Sequence, residues 1–76
     1  MREFLEFIAR HLVDQPDMVS IEQEEKENRA IFTLKVAAPD VGKIIGRKGR
    51  TAQALRTLLA AVAAKEGKRA ILEIAD

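Results

Sequence analysis

The chain has 76 residues, 47% of them apolar and 33% charged, with 13 Lys and Arg against 12 Asp and Glu, a net charge of +1 and no cysteine. That length makes one small domain with a thin core, and the missing cysteines exclude disulfides and thiolate metal sites as its staples. No apolar run approaches the roughly 20 residues that span a bilayer and Glu3 and Glu6 do not suit a secretory leader, so a cytoplasmic setting is expected, with self-association as one way to enlarge the core.

Arg2 to Val13 reads as a helix, with Phe4, Leu5, Ile8 and Leu12 at helical spacing and Phe7 beside them. Gln15-Pro16-Asp17 stops it, because the residue before a proline avoids the helical region. Met18 to Glu24 reads as a strand in which Val19 and Ile21 alternate with Ser20 and Glu22. Glu24 to Arg29 is a polar turn. Ala30 to Ala38 is a clearer strand, with Phe32, Leu34 and Val36 on one face and Thr33 and Lys35 on the other. The two strands form an antiparallel hairpin, and the charges of the first give it a solvated face or an edge position.

Pro39 ends the second strand, and Asp40 is placed to cap a short helix beginning at Val41. Gly46 interrupts that helix. After Gly49 a long helix runs from about Thr51 to Lys65, with Leu55, Leu58, Leu59 and Val62 as its core stripe and Gly67 as its C-terminal cap. Ala70 to Ala75 is a final strand, with Leu72 and Ile74 on one face. The order predicts one layer of helices on one small sheet, an α+β domain.

Charge is segregated along this order. Residues 1–29 hold 4 bases and 8 acids, and residues 30–76 hold 9 bases and 4 acids. No acid occurs between Val41 and Lys65. Such asymmetry points to an anionic partner, nucleic acid being the commonest. The densest stretch is Lys43-Ile44-Ile45-Gly46-Arg47-Lys48-Gly49-Arg50. Its two glycines permit backbone conformations closed to other residues and make a sterically bare turn. The long helix starts just beyond, so its free N–H groups and positive dipole end face the loop. Arg47, Lys48, Arg50 and Lys43 supply full charges for a sugar-phosphate backbone. Ile44 and Ile45 can wall an apolar groove beside it, with Val41 and Leu55 as further groove candidates. The sequence does not divide these apolar residues between groove and core. A bare GxxG is common, with Gly near 7% of residues. The strand, short apolar helix and long amphipathic helix around this one are not.

The segment from Ala30 to Ala75, with Val41 to Arg50 at its centre, resembles a KH domain, whose mark is a GXXG loop between two helices of a βααβ core. The extra helix and strand, residues 2–25, lie on its N-terminal side, as in the type II arrangement αββααβ. Residues 1–76 then form a single domain, a three-stranded sheet packed against three helices, with its minimal core at about 30–75. FLEFIARHLVDQPD and the short length are similar to the stand-alone KhpA family. That resemblance implies single-stranded RNA held over about four nucleotides, an RNA chaperone role, and homodimers. It also implies pairing with a larger KhpB-like KH protein, linked to cell shape and cell wall organisation. It implies neither an enzyme nor a cofactor.

Other features fit around this reading. Gln53, Thr57, Ala60, Ala61 and Ala64 fall together on the long helix at about 100° per residue, forming an uncharged small-residue face that is a candidate dimer seam; alanine is also simply the best helix former. His11 lacks a nucleophile partner in sequence and reads as structural, and no residue set has metal-ligand spacing. Glu22, Glu24, Glu25 and Glu27 read as a solvated hairpin. The P-loop pattern fails, because Arg47 and Thr51 stand where it needs Gly. Phe4, Phe7 and Phe32 all fit core stripes, so base stacking on aromatic rings is not expected. Two other readings stay open: a KH-fold protein–protein scaffold, and binding of single-stranded DNA.

Overall fold

The computed structural model describes residues 2–76. Helix α1 (Arg2–Leu12) buries Leu5 and Ala9, and Val13 just beyond its end continues the line. These are i, i+4 and i+8 positions, which share one helix face. Phe4 and Phe7 correct the core assignment made from spacing, being 41% and 63% exposed. Each sits about a quarter turn or more from the Leu5–Ala9 line, so neither points into the sheet. Phe7 instead lies against His11, with ring centroids 4.4 Å apart. His11 Nδ1 donates to the Phe7 carbonyl at 2.8 Å.

Strand β1 (Ser20–Lys26) follows a 3₁₀ turn at Pro16–Met18 and pairs antiparallel with β2 (Arg29–Lys35). The polar turn is only Glu27-Asn28, with Glu27 at φ 51°. Every residue of β1 except Ile21 is exposed, as an edge strand with one solvated face requires. Ala30, Phe32 and Leu34 of β2, followed by Val36, point into the core.

Strand β3 (Arg69–Ala75) pairs with the other side of β2, and it runs parallel to it. Parallel neighbours need a long crossover, and that crossover carries helix α2 (Val41–Ile45) and helix α3 (Arg50–Lys65). The sheet order is β1-β2-β3. Ala30–Ala70, Phe32–Leu72 and Leu34–Ile74 stand side by side under the helices. The α3 stripe differs from the predicted one: Ala52, Leu55, Leu59 and Ala63 are buried, whereas Leu58 and Val62 are 46% and 38% exposed. One residue round a helix is about 100°, which carries Leu58 and Val62 off the line set by Leu59 and Ala63. Small Ala52 and Ala63 let α3 lie close on the sheet.

Gly67, at φ 71°, ends α3 as predicted. Its N–H donates to the Ala64 carbonyl at 3.1 Å, and the Lys68 N–H donates to that of Ala63 at 2.9 Å, the paired bonds of a Schellman cap.

Asp40 does not cap α2; its backbone is already helical and its side chain makes no capping bond. The side chain is buried, 1% exposed, and Oδ2 accepts the Gln15 N–H at 3.0 Å. It therefore ties the α1–β1 connection to the start of the crossover. Asp40→Ala would leave that N–H without its partner, at about 1–3 kcal/mol, and Asp40→Asn would keep an acceptor there. Urea denaturation is expected to show a lower midpoint for the alanine variant and a smaller loss for asparagine. An unchanged midpoint for Asp40→Ala would remove this tie from the contacts that hold the fold.

Candidate functional site

The site is built at the turn between α2 and α3. Helix α2 ends at Gly46, whose N–H donates to the Gly42 carbonyl at 2.8 Å. Gly46 has φ 76° and ψ 174°, a region essentially confined to glycine. Lys48 (φ 57°, ψ 26°) and Gly49 (φ 74°, ψ 13°) are both left-handed. Three of the four loop residues thus have positive φ. For Lys48 that costs roughly 1–2 kcal/mol, strain of the kind that accumulates at functional sites.

The two glycines look alike in sequence, but the structure needs each for a different reason. A Cβ on Gly46 would collide with Thr51 Oγ1 and lie 2.9 Å from the Thr51 backbone nitrogen. A Cβ on Gly49 would meet nothing within 4 Å, so only its φ asks for glycine. Helix α3 therefore packs its first turn against bare backbone. No side chain caps that end. Its early N–H groups lie next to the loop.

The cations divide. Arg47, Lys48 and Arg50 are exposed and have no ion-pair partner among the described residues. Lys43 is not free: its Nζ pairs with Asp14, in the connection just beyond α1. Both partners are largely exposed, so the pair is weakly held. The apolar candidates divide as well. Ile44 and Leu55 are core, 0% and 3% exposed, Val41 is half-buried, and Ile45 is 40% exposed beside the loop. Of the residues proposed to touch a ligand, Ile45 and the rim of Val41 are the apolar ones that solvent reaches. Burial makes this division, and sequence spacing carries no signal for it. The seam candidates Gln53, Thr57, Ala60, Ala61 and Ala64 are all exposed. Among the described residues no group of three or more His, Asp or Glu gathers to hold a metal, and no helix is long and apolar enough to cross a membrane.

The αββααβ order, the parallel β2–β3 pair and the glycine loop joining two helices define a KH domain of type II. The family model described as KhpA/KhpB, KH domain matches residues 2–74, and the chain belongs to that family. It is 47% identical over 76 residues to the RNA-binding protein KhpA of Chlamydia pneumoniae, covering all of this chain and 97% of that protein. It is 49% identical to the RNA-binding protein KhpA of Clostridium acetobutylicum over 74 residues, 97% of this chain and 99% of the other. For the protein of the same name from Borreliella burgdorferi the identity is 53% over 74 residues, with 97% and 90% covered. No solved structure gives a significant match.

The unlike glycines yield a measurable difference. Gly49→Ala is expected to cost about 1–2 kcal/mol, the penalty of a left-handed alanine. Gly46→Ala is expected to cost more, and adding Thr51→Ala should not restore it, because the Thr51 backbone nitrogen still stands in the way. Equal midpoints for the two single variants in urea would contradict the packing described.

Proposed function

We propose that this protein binds single-stranded RNA without catalysing a reaction on it, as a cytoplasmic RNA chaperone or post-transcriptional regulator. The observation that carries this reading is the Gly46–Gly49 loop, where positive φ angles turn two unpaired cations outward at the uncapped start of α3. Membership of the KH family and the names of its relatives support it. In this reading Gly46 and Gly49 shape the clamp, and Arg47, Lys48 and Arg50 meet phosphates. Lys43 joins them by exchanging Asp14 for a phosphate. Ile45 and Val41 wall the groove, backed from beneath by Ile44 and Leu55. A single loop clamping about four nucleotides gives an affinity of about micromolar or weaker, with marked salt dependence.

The test is fluorescence anisotropy of a short mixed-sequence RNA at two salt concentrations. Wild type should bind and weaken with salt. A double variant, Arg47→Asp and Lys48→Asp, with its fold verified by circular dichroism, should lose binding by at least about tenfold. Equal binding by both proteins would place the contact elsewhere, and no binding by either would favour a protein–protein scaffold. A DNA strand of the same sequence reports whether the 2′-OH is read.

The reading includes a homodimer, or a pair with a KhpB-like partner, formed through the outer face of α3. Its support is that Gln53, Thr57, Ala60, Ala61 and Ala64 are exposed, and that Ala61 lies beside Leu58, which is exposed as well, with Ala60 and Ala64 at the opposite rim of the face. Two loops on one dimer would raise apparent affinity through bivalency. Sedimentation equilibrium should find a dimer for wild type and a monomer for Ala61→Arg. A wild-type monomer at tens of micromolar would dismiss the seam.

A further inference from the structure

A cleft of about 430 Å³ lies along β3, on the far side of α3 from Leu58 and Val62, and away from the glycine loop. Ala60 and Ala64 form one wall, Ile71 contributes to the other, and Arg29, Lys68 and Arg69 stand around it. It opens where β3 is the outermost strand of the sheet.

The charges around it are unusual. Arg29 and Arg69 are direct partners in the parallel register, so their side chains leave the sheet on the same face, the one away from the helices, and they border the cleft at the β3 edge. The Arg69 N–H donates to the Asn28 carbonyl at 2.7 Å, which fixes the strand ends together. Lys26, on β1, is the register partner of Arg29 from the other side. Three cations therefore stand in a row across the sheet. Like charges placed opposite one another destabilise a sheet, and the fold does little to answer them. Lys26 pairs with Glu24 at 3.2 Å and Lys68 with Glu25 at 3.1 Å. Arg29 and Arg69, both exposed, have no ion pair among the described residues. Two arginines adjacent in register without a counter-charge, at the rim of a cleft with an apolar wall, match a phosphodiester, whose oxygens accept the guanidinium fork.

The cleft is joined to the loop. Arg56, Ala60 and Ala64 are four apart and share one flank of α3. That flank leads back toward Gly49, about 16 Å from Ala60 at 1.5 Å per residue. No acid occurs along it, the first after Asp40 being Glu66. A second copy centred on Ala61 and Leu58, at the other edge of the exposed face of α3, leaves the Arg56–Ala60–Ala64 flank to the RNA strand.

We propose that Arg29 and Arg69 form a second phosphate-contact site, which takes the backbone of the same single strand after it leaves the glycine loop. The site rests on the RNA-binding reading and extends it: the strand runs from the loop along α3 and round the β3 edge to the end of the sheet. The ligand is then a continuous single-stranded stretch rather than a short motif. The arginine pair opposes folding in the free protein and is relieved by the bound strand.

The experiment uses the whole chain with fluorescein-labelled RNAs of 4 and 12 nucleotides, at several salt concentrations. Arg29→Gln with Arg69→Gln removes the pair while leaving the loop intact. Expected are a loss of at least about fivefold on the 12-mer, a smaller loss on the 4-mer, and a salt slope on the 12-mer reduced by about 1.4, roughly 0.7 per phosphate contact on a single strand. The thermal midpoint of the free variant should be equal to that of wild type or higher, since a repulsion has been removed. That combination of a sounder fold with weaker binding would not follow from a purely structural role. Wild-type affinity and slope on the 12-mer would overturn the proposal while leaving the loop reading intact, provided that the loop variant loses binding in the same assay. Failure of wild type to bind either RNA would overturn both. Preference for an acidic peptide of equal charge over the 12-mer would overturn the phosphate assignment.

Discussion

The parallel pairing of β2 with β3 is the constraint on which the rest depends. β1 and β2 run antiparallel and need only Glu27-Asn28 to join them. A parallel partner cannot be reached that way, so the chain must cross over the sheet. The crossover has to bury apolar side chains from both of its helices, Ile44 from α2 and Leu55 and Leu59 from α3. Between those anchors the backbone must turn sharply within Gly46–Gly49, and it does so with positive φ at three of the four residues. The juxtaposition of isoleucines with clustered cations follows directly. The core draws Ile44 inward, and the tight turn leaves Arg47 and Lys48 directed at solvent.

Much of this was legible in the sequence. Element order, the hairpin, the stop at Gly67 and the turn at Gly46–Gly49 follow from alternation, helical spacing and glycine placement, all of which are local. The misread residues depend on how elements meet. Phe4, Phe7, Leu58 and Val62 are apolar and recur at helical spacing, yet the buried lines run through Leu5–Ala9–Val13 and Ala52–Leu55–Leu59–Ala63, with Phe7 nearly opposite the first of them. Alanine carries little weight in a hydrophobic pattern, so a line half made of alanine hides behind larger neighbours. Asp40 has the type and position of a helix cap, but its carboxylate serves Gln15, which is 25 residues away in sequence. Lys43 reads as a free cation until the fold brings Asp14 to it.

Charge and strain are distributed unevenly across the molecule. The ion pairs are exposed contacts such as Arg10–Glu6 and Lys35–Glu22, each worth at most about 1 kcal/mol. They involve α1, the acidic strand β1 and, through Asp14, the connection between the two. The costs gather elsewhere, in the left-handed Lys48 and in the register of Arg29 beside Arg69. A small domain has little stability to spare, so these local costs stand out against an otherwise well-satisfied fold. Among the described residues no buried side-chain nitrogen or oxygen lacks a partner.

The Schellman turn at Gly67 has a consequence for how the sequence can change in length. It fixes where β3 begins relative to the last turn of α3, and side chains on a strand alternate with a period of two. Adding or losing one residue between Gly67 and Arg69 would exchange the faces of the whole strand. Arg69, Ile71 and Glu73 would turn toward the helices, and Leu72 and Ile74 toward water. The Glu27-Asn28 turn carries no comparable restriction, because its exposed tip can lengthen while the register of the hairpin stays fixed by Phe32 and Leu34. Of the two connections at that end of the sheet, one can absorb length variation, and the other sets the phase of the domain.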